Sequence, residues 1–524
     1  MVIMCPFMSE SPVSSVKKHS ALAPNPGWRK KAYGLAAVFM MGGLITPNVQ
    51  AQSTRATVGA YCQQLQETID QKESLRLAGL NGNAAAQQKY QTLIQQHGEA
   101  LRVCRSRTWP QNQALWIRLY PCDLKPGVLD NVMDRIVNRG YNQVYVEVFY
   151  NGQVLLPKSA NPTPWPSVVR TPGTEKLDLF AEALKKGRER GLKVYAWMFT
   201  LNFGYTYAQR SDRQQALARN GKGQFTLSIT DEAGLKPTLT ELTSEEAFID
   251  PYHPQARADY YQMVQSILQR RPDGVLFDYV RYPKGSGTSS IASHVYDLWI
   301  YSIASQQALF NRALNNKGVE LIRRYLTRGY ITTGDVVAVD KQFPGEGEPL
   351  WEGRTPTGSR LPSASQRQPM LQQELWFLSA AHAVQGVLDF LTIAASLVRQ
   401  QGLPAGAVFF PEGNQAIGQG FDSRLQAWDR FPTWMEWHPM SYGICGNTSC
   451  IASQVQRVLG LAGRGVQIKP VLAGVWGESI SNRPALEAQM EAVRRVAPQV
   501  NSISHFAYSW QEPQSDRDRK FCKL

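Results

Sequence analysis

Several ionisable side chains stand within or just behind stretches that are otherwise apolar. A charge on a buried strand is costly unless it is paired or reaches solvent, so these positions are where chemistry is expected. Asp278 ends the run Gly274-Val275-Leu276-Phe277, and Arg281 follows three residues later. Glu147 lies within Val144-Tyr145-Val146-Glu147-Val148, Arg118 behind Trp116-Ile117, and Glu412 behind Phe409-Phe410-Pro411. Glu436 and His438 alternate with Met435 and Trp437, and His505 follows Ser502-Ile503-Ser504. Aromatic residues share these stretches: Tyr150, Trp197, Tyr279 and Tyr282, then Tyr442, Trp476 and Trp510. Aromatic faces stack on sugar rings and carboxylates bond sugar hydroxyls, so a cleft holding both suits a carbohydrate. The histidines lack HxH or HExxH spacing and no CxxC occurs, so no metal and no cofactor is expected.

The elements that would carry these residues follow a repeat. Apolar runs rich in Val, Ile, Phe, Tyr and Trp occupy 114–120, 143–150, 193–200, 274–280, 406–411, 434–441, 467–476 and 502–510. Continuous rather than alternating apolarity means strands covered on both faces, hence a parallel sheet. Helical patterns at 125–139, 176–191, 254–271, 370–401, 452–461 and 484–498 separate them. Eight such units predict an α/β fold, a (β/α)₈ TIM barrel, whose site forms at the C-terminal strand ends. A doubly wound open sheet would need a Gly-rich phosphate fingerprint after a strand, and none is present. Long insertions follow strand three (201–250) and strand four (284–369). Within the second, 343–367 is dense in Pro, Gly and Ser and reads as a surface loop or lid.

Ahead of the barrel, residues 58–80 and 84–105 carry apolar residues at helical spacing around Asn81-Gly82-Asn83, a turn sequence. They predict a helical hairpin within 52–110, before the barrel at 111–513 and a tail at 514–524. Arg29-Lys30-Lys31, an apolar run at 34–45 and Val49-Gln50-Ala51 together read as a signal peptide over 1–51. The protein is therefore expected to be exported, to the periplasm or outside the cell, with no later membrane span. Six cysteines follow that segment. Cys62 and Cys104 fall at facing ends of the hairpin, Cys445 and Cys450 share one loop, and Cys122 and Cys522 follow strands that neighbour each other in a closed barrel. These are the expected disulfides. Of the net charge of +14, residues 1–51 carry +4, and the remaining +10 is dispersed with no Lys/Arg run after residue 31, so no nucleic-acid partner is expected.

The chain resembles the glycosyl-hydrolase-like 10 family, a group of exported barrel proteins. The matching segments are Val144-Tyr145-Val146-Glu147-Val148 with Asn151-Gly152, Gly191-Leu192-Lys193-Val194-Tyr195-Ala196-Trp197, Asp250-Pro251 with Pro254 and Arg257, and Asp273 through Pro283. The resemblance implies a (β/α)₈ catalytic domain acting on polysaccharide, with bacterial cell-wall glycan strands a substrate of the family. Strand four here ends in Asp278, where retaining barrel glycosidases carry Glu, and strand seven offers no carboxylate before Glu478. Glycoside hydrolysis needs one ionised and one protonated carboxyl. Asp278 is expected as the ionised group, with Arg281 favouring its charge, and Glu412 as the acid, with Glu436 in reserve. Arg118, Glu147, Trp197, Arg281, Tyr282, His438, Tyr442, Trp476 and Trp510 are expected to bind substrate. The alternative is a glycan-binding barrel without catalysis.

Overall fold

The computed structural model describes residues 60–228, 245–356, 358 and 361–524; the expected signal segment lies outside them. Eight parallel strands form the barrel: β1 Asn112–Ile117, β2 Gln143–Tyr150, β3 Lys193–Phe199, β4 Val275–Asp278, β5 Ala405–Phe409, β6 Glu436–Pro439, β7 Gln467–Ile468 with Val471–Ala473, and β8 Ser502–Phe506. They pair in chain order, and β1 pairs with β8. β7 is in two pieces because Pro470 has no N–H to continue a ladder. Its first piece pairs with β6 and its second with β8, and a parallel bridge from Met440 to Val471 joins the two edges, so the sheet closes on itself. The Ser441 N–H reaches the Val471 carbonyl at 2.9 Å, and the Pro470 carbonyl accepts from the Ser504 N–H at 3.0 Å. Every residue of β2 is buried, as its continuous apolarity requires of a strand covered on both faces.

Helices α1 Gln66–Leu80 and α2 Ala84–Arg107 form the N-terminal pair. α1 starts later than its apolar spacing suggests, because Tyr61 and Cys62 turn the chain through left-handed backbone at φ 55° and 61°. Asn83 caps α2 by accepting the Ala86 N–H at 3.0 Å. Asn83→Ala should lower stability by ~1 kcal/mol in denaturant unfolding; an unchanged midpoint would contradict that capping role. The pair is tied to the barrel by buried polar contacts. Arg190, 1% exposed, donates to Asp134 at 2.8 Å and to the Tyr90 hydroxyl at 2.6 Å. Arg105, also 1% exposed, donates to the carbonyls of Gly140, Pro110 and Tyr61.

The barrel helices include α3 Val128–Asn138, α4 Leu179–Arg188 and α5 Pro254–Leu268. Three more occupy the second insertion: α6 Ile303–Phe310, α7 Asn316–Arg328 and α8 Thr333–Gln342. α9, Ala364–Gln400, begins six residues before the sequence pattern places it, at a Ser363 and Gln366 capping box. It contains a window of mean hydropathy 1.5, long and apolar enough to cross a membrane by composition. In the fold it packs on α5, β4 and β5, which accounts for its apolar faces. α10 Ser449–Leu461, α11 Leu486–Val496 and α12 Pro513–Lys520 follow it. Disulfides join Cys62 to Cys104, Cys122 to Cys522 and Cys445 to Cys450, with Cα separations of 5.9, 5.6 and 6.2 Å.

Candidate functional site

Asp278 is the last residue of β4, and parallel strands bring all last residues to one end of the barrel. Its carboxylate is fixed by two donors. The Trp197 indole N–H on β3 reaches one oxygen at 3.1 Å, and the Tyr279 backbone N–H reaches the other at 2.7 Å. Burial raises its pKa, opposed by the Tyr279 N–H, the positive charge of Arg281 and the Trp197 bond, in that order. Arg281 thus favours the charged form, while desolvation is the larger influence.

Asp278 acts electrostatically on two further carboxyl groups. Glu147 on β2 is 1% exposed. One oxygen pairs with Arg118 and the other has no hydrogen-bond partner among the described residues. Burial raises its pKa, Arg118 lowers it, and Asp278 adds a smaller increase. The side chain of Arg118 remains 38% exposed at the same end of the barrel, stacked over Tyr150 at 4.1 Å. The other carboxyl is Glu246, 4% exposed, on the insertion after β3. The Tyr279 hydroxyl donates to one of its oxygens at 3.0 Å, and the second oxygen has no partner among the described residues. Its pKa is pushed up to about 7, chiefly by burial, with Arg281 and Tyr279 opposing and Asp278 assisting. Tyr279 lies at φ 52°, an unusual backbone for a bulky residue, and Arg281 stacks over its ring at 4.5 Å.

The remaining expected site residues fall into different surroundings. Glu412, half-buried behind β5, accepts from the Gln454 side chain on α10 at 2.7 Å. Glu436 is the first residue of β6 and so belongs to the opposite end of the barrel from Asp278. There it pairs with Lys469 at 2.5 Å and His438 at 3.3 Å. His438 is fully buried in the barrel interior beside Trp116 and Tyr145. Gly406 makes room for it, since a Cβ there would lie 2.8 Å from His438 Nε2. Tyr282 is fully buried, its N–H bonded to the Arg424 carbonyl. Trp476 packs against Tyr61 and the outward-facing His505, and donates to the Tyr141 hydroxyl. Trp510 is half-buried beneath Arg483. Tyr442 packs 6.0 Å from Phe506, whose ring also meets Trp116 and Trp197. Asp278, Glu147, Trp197, Arg118 and Arg281 are thus brought to one place, together with Glu246 and Tyr279.

Glu246 had no periodic signal to mark it. The available clue was Glu246-Ala247-Phe248-Ile249-Asp250, an apolar triplet between acids where the insertion rejoins the barrel. Phe248 and Ile249 bridge to Asn202 and Leu217, which anchors Glu246 beside the end of β4.

Residues 125–315 match the glycosyl hydrolase-like 10 family. This span holds Glu147, Trp197, Glu246, Asp278 and Arg281. No curated protein matches the sequence. Among solved structures, the chain is similar to the catalytic domain of a β-amylase from Paenibacillus polymyxa, at 10% identity over 76% of this chain and 92% of that one, with a TM-score of 0.42. It is also similar to an exo β-N-acetylglucosaminidase from Vibrio harveyi, at 7% identity over 79% and 54%, with a TM-score of 0.37. A hypothetical protein from Ruminiclostridium thermocellum aligns at 17% identity over 32% and 77%, with a TM-score of 0.23.

Proposed function

We propose that this protein is a glycoside hydrolase of the cell envelope that acts on a polysaccharide, with bacterial cell-wall glycan strands the substrate to test first. The observation that carries the reading is Asp278, fixed by Trp197 and Tyr279 at the C-terminal end of β4 beside two buried carboxyls. Hydrolysis of a glycosidic bond needs one carboxylate to attack, or to activate water, and one carboxylic acid to protonate the leaving oxygen. Asp278 suits the first role, since backbone and indole N–H groups can only donate and so favour its ionised form. Arg118 and the free oxygen of Glu147 would bind sugar hydroxyls. The family match over 125–315 supports the reaction class, and three disulfides support an oxidising compartment.

The test is mass spectrometry of products released by the purified protein from cell-wall glycan, with and without attached peptides. Soluble saccharides carrying new reducing ends are the expected result. The burial of Asp278 and Glu147, 7% and 1% exposed, is what favours the second reading of a barrel that binds glycan without cutting it. Glycan retained intact on the protein, with nothing released, would establish that reading instead.

A further inference from the structure

We infer that Glu246 is the proton donor of this site, held in place for that role by Tyr279. The inference rests on the hydrolase reading and adds the second catalytic group to it. Among the carboxyls of the candidate site, Glu246 has the surroundings a proton donor needs. Asp278 accepts from two N–H groups, and Glu147 is paired with a guanidinium, contacts that favour the charged form of each. Among the described residues, Glu246 is bonded on one oxygen, by a hydroxyl, and its other oxygen is buried without a partner. Glu412 already accepts from Gln454, and Glu436 is paired at the far end of the barrel.

Tyr279 connects the two carboxyls. Its backbone N–H holds Asp278 and its hydroxyl holds Glu246. One residue can do both only if the chain turns sharply after β4, and φ 52° is that turn. Conformations of this kind persist where the surroundings over-determine them, and here Arg281 over the ring and Phe199 at 4.2 Å do so. In the reaction the glycosidic C–O bond breaks and its electron pair stays on the leaving oxygen. That oxygen takes the proton of Glu246. Water then supplies hydroxyl to the anomeric carbon, and its proton restores Glu246, so one water is consumed per bond. The groups facing Glu246 are Arg281, Tyr279 and Asp278, and burial among them keeps it protonated near neutrality.

The test compares Glu246→Gln with the parent on two probes, purified glycan strands and 2,4-dinitrophenyl chitobioside, whose leaving group needs no proton. The variant should lose ~10²–10³-fold on strands, in the range of general acid catalysis, and under ~10-fold on the aryl glycoside. The alkaline limb of the parent kcat/KM profile, near pH 7, should vanish. Tyr279→Phe removes a donor that favours the charged form, so it should move that limb to higher pH. Equal losses on both probes, or an unchanged pH profile, would overturn the assignment. Carboxyl NMR of ¹³C-glutamate-labelled protein gives a reading that needs no substrate. A resonance titrating near 7 in the parent should be missing from Glu246→Gln; its persistence overturns the proposal even if the parent hydrolyses glycan. A parent inactive on both probes would instead refute the hydrolase reading.

Discussion

Asp278→Asn should reduce release of saccharides from glycan strands by ~10⁴-fold, the order seen when the central group of a catalytic constellation is removed. The substitution is isosteric. The amide oxygen can still accept from one of the Tyr279 N–H and the Trp197 indole, and the amide NH2, which cannot accept, faces the other. What disappears is the negative charge that would attack or activate water. Glycan retention should therefore stay within ~3-fold of the parent, because uniform binding is lost only when contacts to the ground state are lost. Two effects oppose in stability. Burial raises the Asp278 pKa, so its ionised form is held at a cost that an amide avoids, while one N–H loses its acceptor, and the thermal midpoint of the variant at pH 8 should stay close to the parent's. Residual turnover above a tenth of the parent's would remove Asp278 from the chemistry. Loss of retention together with turnover would make it a binding residue.

How much of this site could be read from the sequence depends on what kind of signal each residue carries. Asp278 was legible because it ends an apolar run, and the end of a parallel strand is a place as well as a position. Glu436 was equally conspicuous as an acid in a strand, yet it begins its run, and beginning residues lie at the other end of the same barrel. Residue order along each run thus separates mouth from base, and alternation then separates interior from exterior. Trp116 meets Ser504 across the interior, whereas the next residue, His505, faces Tyr141 and Trp476 on the outside. Glu246 was not legible, because its position comes from two bridges made by Phe248 and Ile249, long-range pairings that leave no periodicity.

The base of the barrel offers the larger effect on stability. Lys469→Met should cost ~3–5 kcal/mol in denaturant unfolding at pH 7, as expected when one member of a buried ion pair is removed and the other stays charged. Glu436, 6% exposed, is held by the Lys469 ammonium at 2.5 Å, His438 at 3.3 Å and the Tyr195 hydroxyl at 3.4 Å. Burial would raise its pKa, but His438 and Lys469 outweigh that and hold it down at about 2, against an ordinary 4.5. A carboxyl lowered in the folded state stabilises the fold above its unfolded pKa, and that stability is lost as pH falls. The parent should thus lose ~3 kcal/mol between pH 4.5 and pH 2 through this group alone. In Lys469→Met the same acid interval should cost much less, because protonation relieves an unpaired buried charge. The double variant Glu436→Gln, Lys469→Met leaves no charge stranded and should recover most of the loss, since replacing both partners of a buried pair is often near neutral. A single-variant loss under ~1 kcal/mol, or a double variant no more stable than the single, would show that water or His438 supports Glu436 without Lys469.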